Sequence, residues 1–171
     1  MSGARYRQAL PQLGDRLFIT DGGMETTLIF QEGIDLPDFA AFDLLRRPGG
    51  EEALFKYFRS YADIAQRHHL GLVLDTATWR ASADWGARLG YSAEAPAEAN
   101  RRAVALVERI RAEYGDERST SPLDVVISGC LGPRGDGYSP AFLMSEDQAE
   151  AYHTPQIETF AGSAADLVTA P

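Results

Sequence analysis

Cysteine is almost absent from this chain: Cys130 is the only one in 171 residues. A single thiol excludes an internal disulfide and any multi-cysteine metal centre built from this chain alone, and it fits a reducing compartment. Basic residues are also in short supply. The chain has 16 Lys and Arg against 25 Asp and Glu, a net charge of -9. No basic stripe offsets that charge, which disfavours non-specific attraction to nucleic acid or to an anionic membrane. Long apolar runs are missing too. None approaches the roughly 20 residues needed to span a bilayer, and the polar stretch from Met1 to Leu13 lacks the apolar core of a secretory signal. A cytoplasmic location is expected. No internal repeat of solenoid length is visible. The chain is 44% hydrophobic, enough for a packed core and against wholesale disorder.

Three short apolar runs stand out, each ending in polar or small residues. Leu17 to Thr20 runs into Asp21-Gly22-Gly23-Met24-Glu25-Thr26. Leu70 to Leu74 runs into Asp75-Thr76-Ala77-Thr78-Trp79. Asp124 to Ser128 runs into Gly129-Cys130-Leu131-Gly132-Pro133. Each run suits one buried strand. Helical patterns separate them. Glu51 to Arg67 carries an apolar stripe at Leu54, Phe58, Tyr61 and Ala65, and Pro96 to Tyr114 carries one at Ala99, Ala103, Leu106 and Ile110. Residues 27–39 read as a loop with a short helix, since Pro37 argues against a continuous one. Gly115 to Pro122 reads as a connector, and Gly132 to Met144 as a glycine- and proline-rich loop.

Ser145 with Gln148 has the form of a capping box. Pro155 is expected to kink the helix that follows or to restart it with Thr154 as cap. The second piece should then bury Ile157, Phe160, Ala161 and Ala164. Asp166 to Ala170 looks like the start of a fourth strand. Strands alternating with helices predict a parallel sheet with helical crossovers. A doubly wound sheet and a (β/α) barrel both remain open on periodicity alone. In either, the special residues at the strand ends gather at one edge and form one site.

Asp21 is the leading site candidate. It is held at a strand tip, and two glycines after it let the backbone turn sharply and approach a ligand. A carboxylate there is a natural partner for an ammonium group. Asp75 is either a second polar group at the mouth or a strand-ending residue. Gly132 and Pro133 shape the loop after the third strand, and Glu25 is given no general-base role. His68 and His69 are adjacent, so a regular helix cannot aim both at one metal. With His153, they are read as helix-end or packing residues.

Taken together, ITDGGMETTL (Ile19 to Leu28), DTATWRASADWGARL (Asp75 to Leu89), SGCLGP (Ser128 to Pro133) and EAYHTPQIETFAGSAADL (Glu150 to Leu167) resemble the homocysteine S-methyltransferase family. The resemblance implies a (β/α)8 barrel, of which residues 1–171 would be the N-terminal half, with about four β/α units. It implies transfer of a methyl group from a sulfonium or quaternary ammonium donor to the homocysteine thiol, giving methionine. By the same resemblance Asp21 and the Gly22 backbone hold the amino-acid part of homocysteine. Thr78 and Trp79 line the substrate site, and Trp79 either walls the pocket or faces a cationic donor. The family binds zinc through three cysteines, in a Gly-Asn-Cys-like stretch and a Gly-Gly-Cys-Cys stretch. Neither stretch is found here, so no metal role passes to Cys130. The family's glutamate at the end of strand four falls at or beside Pro171, which cannot serve. The chain is therefore expected to be incomplete for catalysis, to hold no zinc, and to self-associate through open barrel edges. Two other readings stay open: a non-catalytic half barrel that binds a small amino acid or a partner chain, and a different barrel enzyme, such as a lyase, using Asp21 and Asp75.

Overall fold

The computed structural model describes residues 3–116, 121–137 and 143–171. The middles of the expected 115–122 connector and 132–144 loop lie outside them. Strands β1 (Phe18–Thr20), β2 (Gly71–Asp75), β3 (Val125–Cys130) and β4 (Leu167–Thr169) form one parallel sheet in the order β1-β2-β3-β4. A helical turn, α1 (Met24–Thr26), follows β1, and helix α2 (Gly50–Arg67) leads into β2. Helices α3 (Ala83–Arg88) and α4 (Ala95–Tyr114) join β2 to β3, and α5 (Glu146–Ala161) leads into β4. Because successive strands are neighbours and parallel, all four C-terminal ends meet at one edge.

The register sorts the side chains. Leu72 and Leu74 lie beside Val125 and Ile127, and all four are fully buried in the core shared with the helices. The alternate positions, Val73, Asp75, Val126, Ser128 and Cys130, belong to the opposite face. Thr169 pairs with Cys130 and joins them. Strand β3 is buried at every residue, as expected of an inner parallel strand. On α2, Leu54, Phe58 and Ala65 are buried and Tyr61 is half-buried. On α4, Ala99, Ala103, Leu106 and Ile110 are all buried.

Residues 27–39 hold a wide helical turn (Thr27–Gln31) and a tight one (Pro37–Phe39) in place of a single helix. Two sequence expectations need correction. Strand β3 does not stop at Ser128. Pairing of Gly129 with Val168 and of Cys130 with Thr169 carries the ladder on to Cys130. Helix α5 does not break at Pro155 either. Its capping box forms as expected, with the Gln148 N–H donating to the Ser145 hydroxyl, but the helix then runs unbroken through the proline. Of the expected stripe, Phe160 and, just past the helix, Ala164 are buried, while Gln156 takes the inward place expected of Ile157. Ile157 is 42% exposed and Ala161 is also exposed. Gln156 can turn inward because its amide donates to the Thr78 carbonyl at 3.1 Å and to Asn100 Oδ1 at 2.9 Å. A satisfied buried amide removes the usual penalty for burying a polar side chain, and helix and sheet are locked together by it.

The opposite edge of the sheet is closed by the N-terminal segment. Asp166, just before β4, accepts the Arg5 and Tyr6 N–H groups on one oxygen, and Arg111 Nη1 and the Ile127 N–H on the other. Arg7 donates to the carbonyls of Phe160, Ala161, Ser163 and Ala165 around the end of α5. The outer strands β1 and β4 pair on one side only among the described residues. Beside them Leu17 is 73% exposed and Val168 40%. No described helix is long and apolar enough to cross a membrane.

Candidate functional site

Asp21 leaves β1 into a turn whose second glycine, Gly23, sits at φ 64, a conformation most residues avoid. The turn brings three elements onto one carboxylate and its neighbour. Asp21 Oδ1 accepts the Asp75 N–H at 2.9 Å. Its Oδ2 faces the Tyr57 hydroxyl at 3.1 Å, and that hydroxyl lies equally far from the Gly22 carbonyl. Tyr61 donates to the same carbonyl at 2.8 Å. The aromatic residues of α2 thus serve two purposes: their rings pack, and their hydroxyls fix the Asp21-Gly22 turn. Burial pushes the Asp21 carboxyl up to about 6, and the neighbouring Asp75 charge adds to the rise against the hydrogen bonds that oppose it.

Asp75 is set in turn by β4. Thr169 donates to its Oδ1 at 2.6 Å, and Ser128 shares a hydrogen bond with the Thr169 hydroxyl at 2.7 Å. Sequence reasoning missed Ser128 and Thr169. The signal was a hydroxyl at an inward position of two otherwise apolar strands, and it becomes readable only when the register is known.

Thr78 is fully buried. Its hydroxyl donates to the Cys130 carbonyl at 2.8 Å and shares a hydrogen bond with Thr76 at 2.7 Å. Thr76 also receives the Cys130 N–H. The two threonines therefore staple the loop after β2 to the end of β3. Trp79 lies above this staple, half-buried. Its carbonyl is so close to Gly132 that a Cβ there would sit 1.9 Å from the oxygen, which gives Gly132 the shaping role expected of it. The Pro133 carbonyl accepts Trp85 Nε1 at 3.4 Å. One face of the Trp79 ring carries the Arg80 guanidinium, 4.5 Å from the ring centroid, so a cation of the protein's own occupies it. Sequence reasoning missed Arg80 as well, because an arginine after a tryptophan has no periodicity to mark it.

Zinc held by thiolate would need clustered soft ligands and a depressed thiol. The surroundings of Cys130 do the reverse: burial pushes its thiol well up, and the charges of Asp75, Glu25 and Asp21 add to that. No group of three His, Cys, Asp or Glu side chains able to hold a metal exists among the described residues. His68 and His69 cap the end of α2, His69 contacting the Ser121 hydroxyl at 3.2 Å. His153 packs edge-on against Tyr152. The described residues do not fit the metal.

Comparison with known proteins bears on the family and the fold. The family model described as homocysteine S-methyltransferase matches residues 18–170. Two solved structures of the homocysteine methyltransferase MmuM from Escherichia coli are similar. The metallated form is 26% identical with a TM-score of 0.70, covering 95% of this chain and 56% of that one. The oxidized form is 26% identical with a TM-score of 0.69, covering 94% and 54%. The chain thus spans little more than half the length of these relatives. No curated protein sequence gives a significant match.

Proposed function

The chain belongs to the homocysteine S-methyltransferase family, and on that premise we propose that residues 1–171 form the N-terminal half of a (β/α) barrel domain that holds the amino-acid part of homocysteine. In the reaction of the whole domain, the thiol loses its proton and its sulfur attacks the methyl group of a sulfonium or quaternary ammonium donor. The new S–CH3 bond forms as the old bond breaks, and the donor leaves with the electron pair as a neutral sulfide or amine. The product is methionine, made in the cytoplasm.

The observation that carries the reading is the Asp21 carboxylate at the β1 tip. It is half-buried and oriented from β2 and α2, and a carboxylate so held is a natural partner for an ammonium group. The Gly22 backbone presents itself beside it. Thr78 sets the floor through its staple to Cys130, and Trp79 walls the loop side. A thiol at its ordinary value near 8.5 is mostly protonated at neutral pH, and among the described residues no ligand set is found that would ionise it. The family match favours the amino-acid-binding reading over a lyase using Asp21 and Asp75.

The test is calorimetric titration of the purified chain with homocysteine, together with metal analysis and an assay for methionine with each donor class. Saturable binding, no stoichiometric zinc and no methionine are expected. One zinc held per chain, or methionine formed by the chain alone, would overturn the binding-half reading. Failure to bind homocysteine would overturn the amino-acid site itself.

The open strands β1 and β4 have a consequence in solution. Unpaired parallel edges flanked by exposed Leu17 and Val168 template further pairing, so the chain is expected to self-associate. Sedimentation velocity should show dimers or larger species at micromolar concentration. A monodisperse monomer with a sharp cooperative unfolding transition would contradict this.

A further inference from the structure

Arg80 follows Trp79 on the loop leaving β2, and its guanidinium lies over two indole rings. Its central carbon lies 4.5 Å from the Trp79 centroid and 3.7 Å from that of Trp85. Contact with aromatic faces leaves the N–H groups of a guanidinium available for hydrogen bonding, and its planar fork matches a flat oxyanion. That fork is unmet. Nε is buried with no hydrogen-bond partner, and Arg80 forms no ion pair among the described residues. A buried donor left unpaired is costly, and nearly all such donors in native structures have a partner, whether protein, water, ion or ligand.

Arg88 differs in this respect. It also lies on Trp85, at 4.6 Å, but it pairs with Asp38 at 3.0 Å. The setting of Arg80 ties it to the strand-end site. The carboxylates of Asp136, Asp38 and Glu25 lie within its electrostatic reach, and none of them bonds to it. Glu25, Asp21 and Asp75 all act on Cys130 at the end of β3. Strands β1 and β2 are parallel neighbours, so the oriented carboxylate of Asp21 just past β1 and the unfilled guanidinium of Arg80 on the loop after β2 belong to the same edge of the sheet. Opposite fixed charges at one edge match a zwitterion.

We propose that Arg80, lying over Trp79 and Trp85, receives the carboxylate of the ligand bound at this edge. This rests on the amino-acid-binding reading above and deepens it. The carboxylate has two sources in the proposed reaction, the acceptor amino acid and a carboxylate-bearing donor, and matched ligand pairs separate them. The whole chain is titrated with homocysteine against its decarboxylated counterpart aminopropanethiol, and with glycine betaine against tetramethylammonium. In one of the pairs the carboxylate-bearing member should bind about 10- to 100-fold more tightly, the range of a charge-assisted hydrogen bond. Arg80→Gln should erase that preference and leave the binding of the partner without a carboxylate unchanged. Arg88→Gln should keep the preference. Arg80→Lys, which retains charge without the planar fork, should narrow it about tenfold and carries the comparison if Arg80→Gln does not fold. Equal binding within both pairs, or a preference that survives Arg80→Gln or is unchanged in Arg80→Lys, overturns the role of Arg80 and leaves the amino-acid reading standing. Binding of neither pair overturns both.

Discussion

Asp166→Ala is expected to destabilise the chain by about 3–5 kcal/mol, read as a lower urea midpoint with the slope preserved. Asp166 is 4% exposed and Arg111 is 7% exposed, so the pair is out of water. The substitution leaves the Arg111 guanidinium buried with only the Ala164 carbonyl at 3.3 Å for company. It also strips three backbone donors, Arg5, Tyr6 and Ile127, of their acceptor. Removing one partner of such a pair is more damaging than removing both, because the remaining charge has nowhere to go. The double variant Asp166→Leu with Arg111→Met should therefore be clearly more stable than Asp166→Ala. A single variant that loses less than about 1 kcal/mol would mean that water reaches Arg111, and that the N-terminal segment does not close this edge.

The position of that network explains a division within the sheet. Asp166 and Asp124 stand at strand beginnings, where Asp124 binds the Tyr6 hydroxyl and pairs with Arg16. Asp21, Asp75, Cys130 and Thr169 stand at strand ends. Polar residues at the first edge tie the chain to itself. Those at the second edge gather where (β/α) folds usually place their sites.

Much of this was legible from the chain. Four apolar runs with helical stripes between them required a parallel sheet, and parallel order alone placed Asp21 and Asp75 at one edge. Local chemistry fixed the capping box at Ser145. What periodicity could not supply was partnership. Gln156 reads as an outward polar residue until the Thr78 carbonyl and Asn100 are seen to be waiting for it. Pro155 reads as a break until the buried Phe160 and Gln156 are seen to hold the second half of α5 in line with the first. The role of Asp166 depends on residues 5 and 6 at the far end of the chain, a contact that no local window contains. Thr78 was placed in the site by position, and its hydroxyl is spent inside the protein. Arg80 was passed over because its meaning lies in the two indole rings its guanidinium lies over.

Asp21→Asn is expected to make the protein more stable and unable to hold its ligand. The Asp21 carboxyl titrates near 6 in the folded chain, against about 3.9 for a free aspartate. Its folded value is raised, contrary to the usual salt-bridged carboxylate, so the sign reverses. Above pH 6 the ionised group is worse off folded than unfolded and opposes folding by about 3 kcal/mol. As pH falls from about 7 to 4 the folded state takes up the proton first, and that penalty disappears. Asparagine keeps an oxygen for the Asp75 N–H. Its amide can donate to the Tyr57 hydroxyl, whose own proton then goes to the Gly22 carbonyl, already 3.1 Å away. The variant should gain up to about 3 kcal/mol at pH 8, gain nothing at pH 4, and show a flatter pH profile between. Homocysteine binding should fall by at least about tenfold, since the ammonium loses its counter-charge. Urea titrations at the two pH values and one calorimetric titration decide the matter. A variant less stable at both would show the carboxylate to be a structural acceptor, fully repaid by Tyr57 and Asp75. A variant more stable at pH 8 that still binds homocysteine normally would remove Asp21 from the site. A gain in stability coupled to loss of binding would identify the buried charge as one kept for its ligand at the expense of the fold.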